Sequence, residues 1–174
     1  MSRRRVGRHL GGGREPDEER ERRERADRLR EALSFWASGV TLVAVRDGPT
    51  VHALTASAVL PVSVEPPLVA VGLGGNAAVL PFLDAGTSFA ISILSADQKS
   101  LASRYADSFP VGPSPFPEEG APVVEGALAT LVCRVEELLE RGDHTLVLGR
   151  VTDAGTGDPD AALVYYRRDY HRLD

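Results

Sequence analysis

The stretch Val51-His52-Ala53-Leu54-Thr55-Ala56-Ser57-Ala58-Val59-Leu60-Pro61-Val62-Ser63-Val64-Glu65-Pro66-Pro67-Leu68-Val69-Ala70-Val71-Gly72-Leu73 decides how the chain is read. It holds two apolar runs, Ala53 to Val64 and Leu68 to Leu73. Glu65-Pro66-Pro67 between them has no place in a strand interior, because proline fixes φ and lacks a backbone donor. Each run is short, rich in Val, Leu and Ala, and bounded by turn residues. That predicts two buried strands. Thr55-Ala56-Ser57 interrupts the first run with two hydroxyls around a small residue. Such a step leaves room for a flat ligand to approach the backbone and bond through its polar edge. The same hydroxyls can instead bond neighbouring main chain, which is their commoner use.

The chain around this stretch has 174 residues, enough for one domain with a proper core. No run of eighteen apolar residues occurs, so no membrane span is expected. The basic start Met1-Ser2-Arg3-Arg4-Arg5 is not followed by an apolar segment, so it does not read as a secretory signal. A single cysteine, Cys133, excludes an internal disulfide and offers no zinc cluster. A cytoplasmic location is the expectation. Residues 1–31 carry 11 Arg against 8 Asp and Glu, a balance of +3, and the remainder carries −8, for a net charge of −5. An acidic body argues against nucleic acid as a partner.

Residues 1–14 contain Gly11-Gly12-Gly13 and no apolar periodicity, and read as mobile. A helix should start near Pro16-Asp17 and run to Gly39. Glu18/Arg22, Glu19/Arg23, Glu21/Arg25 and Glu24/Arg28 are spaced to pair along it. Ala26, Leu29, Leu33 and Trp36 form an apolar stripe that should dock. A strand follows at Val40 to Val45, with a turn at Asp47-Gly48-Pro49. Beyond the two central strands, Asn76 to Ala85 reads as a short helix, Phe89 to Leu94 as a strand, and Ala96 to Tyr105 as a helix with Leu101 and Tyr105 inward. Residues 106–122 hold five prolines, the mark of a lid or binding loop. Residues 127–139 and 144–152 read as long strands joined at Arg141-Gly142-Asp143. Ala161 to Arg167 is a last strand, and Tyr170 to Leu173 a tail. The fold class is mainly β: a Greek-key barrel with short helical inserts and an N-terminal helix.

Few motifs carry chemistry. Gly72-Leu73-Gly74-Gly75-Asn76-Ala77 fits G-x-G-x-x-A, a dinucleotide fingerprint. The helix after it is short, carries Pro81, and belongs to no βαβ repeat, so the plainer reading is a tight loop whose N–H groups face a phosphate. Arg141-Gly142-Asp143 is a hairpin turn. His144 at its lip is either a solvated turn residue or a functional one. His52, His9 and His171 have weaker cases. Cys133 reads as core, and no His and carboxylate set has metal spacing. Tyr165, Tyr166 and Tyr170 either line a flat cofactor or pack in the barrel.

Taken in order, these segments resemble the flavin reductase-like, FMN-binding split-barrel family. Leu33-Ser34-Phe35-Trp36-Ala37-Ser38-Gly39-Val40-Thr41 is similar to its helix-to-strand opening. His52 to Ala58 and Pro61 to Leu68 resemble its flavin-binding core. Ala96-Asp97-Gln98, Leu101 to Ala106, Gly126 to Ala129, Gly142-Asp143-His144 and Leu163 to Tyr166 follow in the family's order. The resemblance covers residues 27–174 and leaves 1–26 as a charged tail and helix start. It implies a split β-barrel that forms a homodimer with flavin at the subunit interface. It implies NADH or NADPH as co-substrate, FMN or else FAD as the flavin, and a partner monooxygenase that receives reduced flavin. Leu54, Thr55, Ala56 and Ser57 would hold the isoalloxazine and ribityl chain. Gly72, Leu73, Asn76 and Ala77 would lie near the phosphate, Arg104 would be a further cofactor contact, and His144 would lie near the nicotinamide. Where the family often has a Ser and Thr pair in the phosphate loop, this chain has Asn76-Ala77-Ala78. The implied reaction passes hydride directly from nicotinamide C4 to flavin N5. The protein must then stack two flat rings at near-attack distance, and needs no strong general base. A flavin carrier or sensor without pyridine-nucleotide activity is the alternative.

Overall fold

A computed structural model describes residues 15–158 and 160–174. The chain forms two compact units, 1–36 and 37–174. The expectations for Arg3 to Arg14 and the glycine run lie outside the described residues.

In the first unit, α1 (Glu15–Leu33) is a charged helix. It stops six residues before Gly39, closed by Ser34, whose hydroxyl donates to Glu31 O at 2.7 Å. Of the four expected Glu-to-Arg pairs, Glu19–Arg23 closes at 2.5 Å. Arg20 instead lies 3.8 Å from Glu24, and Arg30 2.8 Å from Asp27. Along the apolar stripe of the single chain, Leu29, Leu33 and Trp36 are 59, 60 and 77% exposed.

The second unit is built on a seven-stranded antiparallel sheet in the order β3-β2-β6-β7-β8-β5-β4. Its strands are β2 (Thr41–Asp47), β3 (Thr50–Ala56), β4 (Val59–Val64), β5 (Pro67–Gly74), β6 (Ser88–Ile93), β7 (Ala129–Arg141) and β8 (His144–Thr156). β1 (Ser38–Gly39), β9 (Ala162–Tyr166) and β10 (Asp169–Leu173) form a separate three-stranded sheet in the order β1-β9-β10. The tail expected at Tyr170 to Leu173 is therefore a strand, paired with β9 across a turn whose Arg167 and Arg168 both have positive φ. Register shifts at Val132/Cys133 and Val135/Glu137 bend the long β7–β8 hairpin and curl the sheet.

The middle of strand β2, Leu42 to Val45, is apolar without alternation, and Thr41 satisfies its hydroxyl by donating to Ala56 O at 2.8 Å. Thr41 to Val45 are all buried. Val43 and Val45 face a core inside the barrel with Val71, Leu73, Phe89, Ile91 and Cys133. Leu42 and Ala44 face a second core with Leu94, Ala102, Phe116 and Leu163. A strand covered on both faces needs apolar residues at every position. Leu101 and Tyr105 of α2 (Lys99–Ala106) pack half-buried on the second core.

Three expectations are corrected. The run Ala53 to Val64 is two strands, broken at Ser57-Ala58, and its second half is not buried: Leu60, Val62 and Val64 are 60, 48 and 92% exposed. β4 is an edge strand, which is why Pro61 fits within it. Asn76 to Ala85 forms only a 3₁₀ turn, Leu80–Phe82, because Pro81 permits no longer helix. Gly72 and Gly74 then belong to β5, so the dinucleotide fingerprint has neither its turn nor its helix.

Candidate flavin site

A cleft of about 1050 Å³ in the barrel unit runs along β3. Its wall includes every residue from Pro49 to Thr55. Alternate side chains of a strand point to opposite faces. An unbroken run therefore means that the cleft follows the strand's edge, not one of its faces. β3 ends the sheet order, so that edge has no strand partner and its free N–H and C=O groups face the cleft. The loop after β5, with Gly74 and Asn76 to Ala78, closes one end, and the proline-rich segment from Tyr105 to Glu118 forms the far wall.

That wall is pinned at both ends. Arg46 on β2 donates through Nε to Gly120 O at 3.0 Å and through Nη2 to Pro117 O at 2.5 Å. Phe116 is buried edge-on to Tyr105, with centroids 5.8 Å apart. The Arg104 guanidinium lies 5.0 Å from the Tyr105 ring centre. A Cβ on Gly112 would stand 2.5 Å from Arg104 Nη1, so only glycine, at φ +130, lets the backbone rest there. Between these anchors Phe109 and Val111 stand 87 and 84% exposed at the rim. The long loop thus forms a wall of the cleft.

The expected site residues divide. Leu54, Thr55, Asn76 and Ala77 line the main cleft together. Thr55 Oγ1 donates to Ala102 O at 2.7 Å, so the main-chain reading holds for this hydroxyl. The bond locks α2 against β3, and lone pairs on Oγ1 remain as acceptors. Thr55 also lines a smaller cleft of about 210 Å³ with Ser57, Tyr165 and Tyr170. The two tyrosine rings lie 5.4 Å apart, and burial, then Tyr165, pushes the Tyr170 hydroxyl up. Ala56 points into the barrel core at 6% exposure. Leu73 is buried in that core, and Gly72 donates its N–H to Ala58 O at 2.8 Å. Arg104 lies beneath the proline-rich segment, with Nε buried and unpartnered. His144 lies in a separate shallow cleft of about 410 Å³ with Gly75 and Leu138. Its Nδ1 sits 2.7 Å from Asp143 Oδ1. Gly75 and Asp143, both in this cleft, are joined by a bond from Gly75 N to Asp143 O at 2.8 Å, and the neighbours Gly74 and Asn76 line the main cleft.

Of the cleft's basic residues, Arg46 has no signal in the sequence, and His52 has there a weaker case than His144. For His52 the missing signal is the edge position of β3, which periodicity does not encode. Cys133 is core as expected, and burial pushes its thiol up to about 12. Among the described residues no group of His, Cys, Asp and Glu is placed to hold a metal ion. No described helix is long and apolar enough to cross a membrane.

A curled antiparallel sheet with a wide cleft on its open edge defines a split-barrel, ligand-binding class of protein. Residues 33–174 match the model of the flavin reductase like domain, and the chain belongs to that family. It is 38% identical over 149 residues to the reductase component of 4-hydroxyphenylacetate 3-monooxygenase from Thermus thermophilus, covering 83% of this chain and 95% of that protein. It is 38% identical over 150 residues to an NADH:riboflavin 5'-phosphate oxidoreductase from Streptomyces pristinaespiralis, covering 82 and 85%. Among solved structures it resembles the flavin reductase PheA2, with a TM-score of 0.77 and 37% identity over 85% of this chain and 98% of that one. It also resembles the Streptomyces globisporus NADH:FAD oxidoreductase SgcE6, solved with NAD and FAD fragments, at a TM-score of 0.77 and 31% identity over 87 and 94%.

Proposed function

We propose that this protein is an NAD(P)H-dependent flavin reductase whose flavin lies along the open edge of β3 and leaves, once reduced, for a partner monooxygenase. The observation that carries the placement is the unbroken lining by residues 49–55. Free backbone donors and acceptors on a strand edge suit the alternating N–H and C=O groups on the polar rim of an isoalloxazine. The cleft volume is that of a cofactor-sized site. Flavin, when bound, supplies N5 as the hydride acceptor.

The residues then divide the work. Leu54 and Thr55 lie against the ring system, and Ser57 continues that contact toward the tyrosine-lined cleft. Asn76 and Ala77 close the phosphate end, with Gly72 and Leu73 supporting them from within β5. Arg104 holds the far wall in position. His144 acts at the nicotinamide by positioning it, because direct hydride transfer requires no proton from the protein. Residues 27–174 form the reductase domain.

The protein works as a cytoplasmic homodimer. Support comes from Leu60, Val62 and Val64, an exposed apolar row on an edge strand, the kind of surface that a second subunit covers. Light scattering at micromolar concentration should give twice the chain mass.

The test of function is the visible spectrum of the purified protein during anaerobic addition of NADH, with FMN supplied. Bleaching of the oxidised flavin at rates far above free solution supports the assignment. Flavin that binds but is never bleached by NADH or NADPH would instead make the protein a flavin carrier.

A further inference from the structure

The loop after β5 is poorly equipped to hold a phosphate. Its side chains Asn76, Ala77 and Ala78 include no hydroxyl and no cation. Two of its N–H groups are already committed: Gly75 donates to Asp143 O and Ala77 to Gly74 O, each at 2.8 Å. An anion at this end of the cleft therefore needs a donor from elsewhere.

Among the described residues, two basic side chains line the main cleft, Arg46 and His52. Arg46 is spent on the carbonyls of Pro117 and Gly120, where it pins the opposite wall. His52 is held differently. Its imidazole stacks on Phe82 of the 3₁₀ turn, with ring centroids 3.7 Å apart and planes 14° apart. A flat stack of this kind fixes the ring plane, so the ring nitrogens project along the stack's rim and not into it. Neither nitrogen takes part in the hydrogen bonds seen among the described residues. Thr55 lies three residue steps along the strand from His52, about 10 Å at the usual rise. That span suits a ligand with a flat ring at one end and a phosphate at the other, joined by a flexible polyol.

We propose that His52 is the phosphate-binding residue of the flavin site. An imidazole N–H donates to a phosphate oxygen of FMN in a charge-assisted hydrogen bond, and Phe82 braces the ring. This rests on the flavin reading above. It assigns to β3 the part that hydroxyls of the loop would otherwise play, and makes one residue responsible for preferring a phosphorylated flavin to riboflavin.

The experiment titrates full-length wild type, His52→Gln and Phe82→Leu with FMN and with riboflavin, following flavin fluorescence. Riboflavin carries the same ring and polyol without the phosphate, so its binding also reports an intact site. Wild type should bind FMN more tightly than riboflavin. His52→Gln should lose about ten-fold or more in FMN affinity and stay within about two-fold for riboflavin, as expected for one lost charge-assisted contact. Phe82→Leu should lose a smaller factor for FMN alone. Equal losses for both flavins, or no loss for either, would overturn the assignment to the phosphate while leaving the flavin site standing. A wild-type protein that binds neither flavin would overturn the flavin reading itself, and the two failures are distinguished by that first titration.

Discussion

Replacing Gly149 by alanine tests the packing that shapes the barrel. Gly149 lies on β8 opposite Val69 of β5 and Val135 of β7. A Cβ there would stand 2.6 Å from Phe89 Cζ, 2.9 Å from Phe89 Cε1 and 3.3 Å from Cys133 Cβ. Carbon atoms in contact sit about 3.5–4.0 Å apart, so the ring must move by roughly 1 Å. Phe89 is 1% exposed in the barrel core, where close packing leaves nothing to receive it. Overpacking costs about 1–3 kcal/mol. Alanine returns about 0.4–1 kcal/mol by restricting the unfolded chain. The net loss of about 1–2 kcal/mol lowers Tm by about 2–8 °C for a chain of this size. Phe89→Leu in the same background opens the space, so the double variant should be more stable than the two single losses sum to, by about 1 kcal/mol in a double-mutant cycle. Thermal unfolding followed by circular dichroism reads both. A Gly149→Ala protein as stable as wild type would refute the packing argument.

Other outcomes follow from the site. His144→Ala should slow NADH-dependent flavin reduction about ten-fold, at about 1.4 kcal/mol per decade. Reduction by dithionite should be unchanged, and a wild-type NADH rate in stopped flow would make His144 a turn histidine only. Ala56→Leu should lower stability by about 1–3 kcal/mol in urea titration, because the side chain faces a filled core. An unchanged midpoint would place it outside that core. Cys133 should resist thiol reagents in the native state and react fully once unfolded. Its thiol lies above the ordinary value of 9.0, at about 12, so its contribution to stability is complete below pH 9 and is lost as pH rises toward 12. Unfolding free energies that are flat from pH 9 to 11 would contradict this.

The strands of the barrel were legible wherever both cores press on one strand. Leu42 to Val45 is apolar at every position because both of its faces are covered, and the long hairpin around Gly142 declared itself by its turn. β4 was misread for a related reason. Val59, Leu60, Val62 and Val64 look like core residues, but composition cannot distinguish a face covered by its own sheet from one left open at an edge. The short helix after Asn76 failed at Pro81, a local rule that should have outweighed the glycine spacing. At the site, Thr55 was legible as a polar residue on an apolar strand. The cleft itself was not, because it follows a backbone edge, and an edge is a property of strand order. The weak case of His52 in the sequence has the same cause: only the pairing of β3 with a single neighbour, and the return of Phe82 onto its ring, give that histidine a setting.

The strand order also dictates when this enzyme can come into being. β3, β2 and β6 form one half of the sheet, and β5 and β4 the other. Among the described residues no strand pairing joins the halves directly: the bridge is β7 and β8, residues 129–156. A chain emerging from the ribosome thus carries two incomplete half-sheets, each with its apolar face uncovered, until the last long hairpin is synthesised. Domains fold as units once their final pairing partners arrive. A premature stop before residue 129 therefore leaves neither a weak reductase nor a flavin-binding fragment. It leaves two sticky edges, a substrate for chaperones and proteases rather than for hydride.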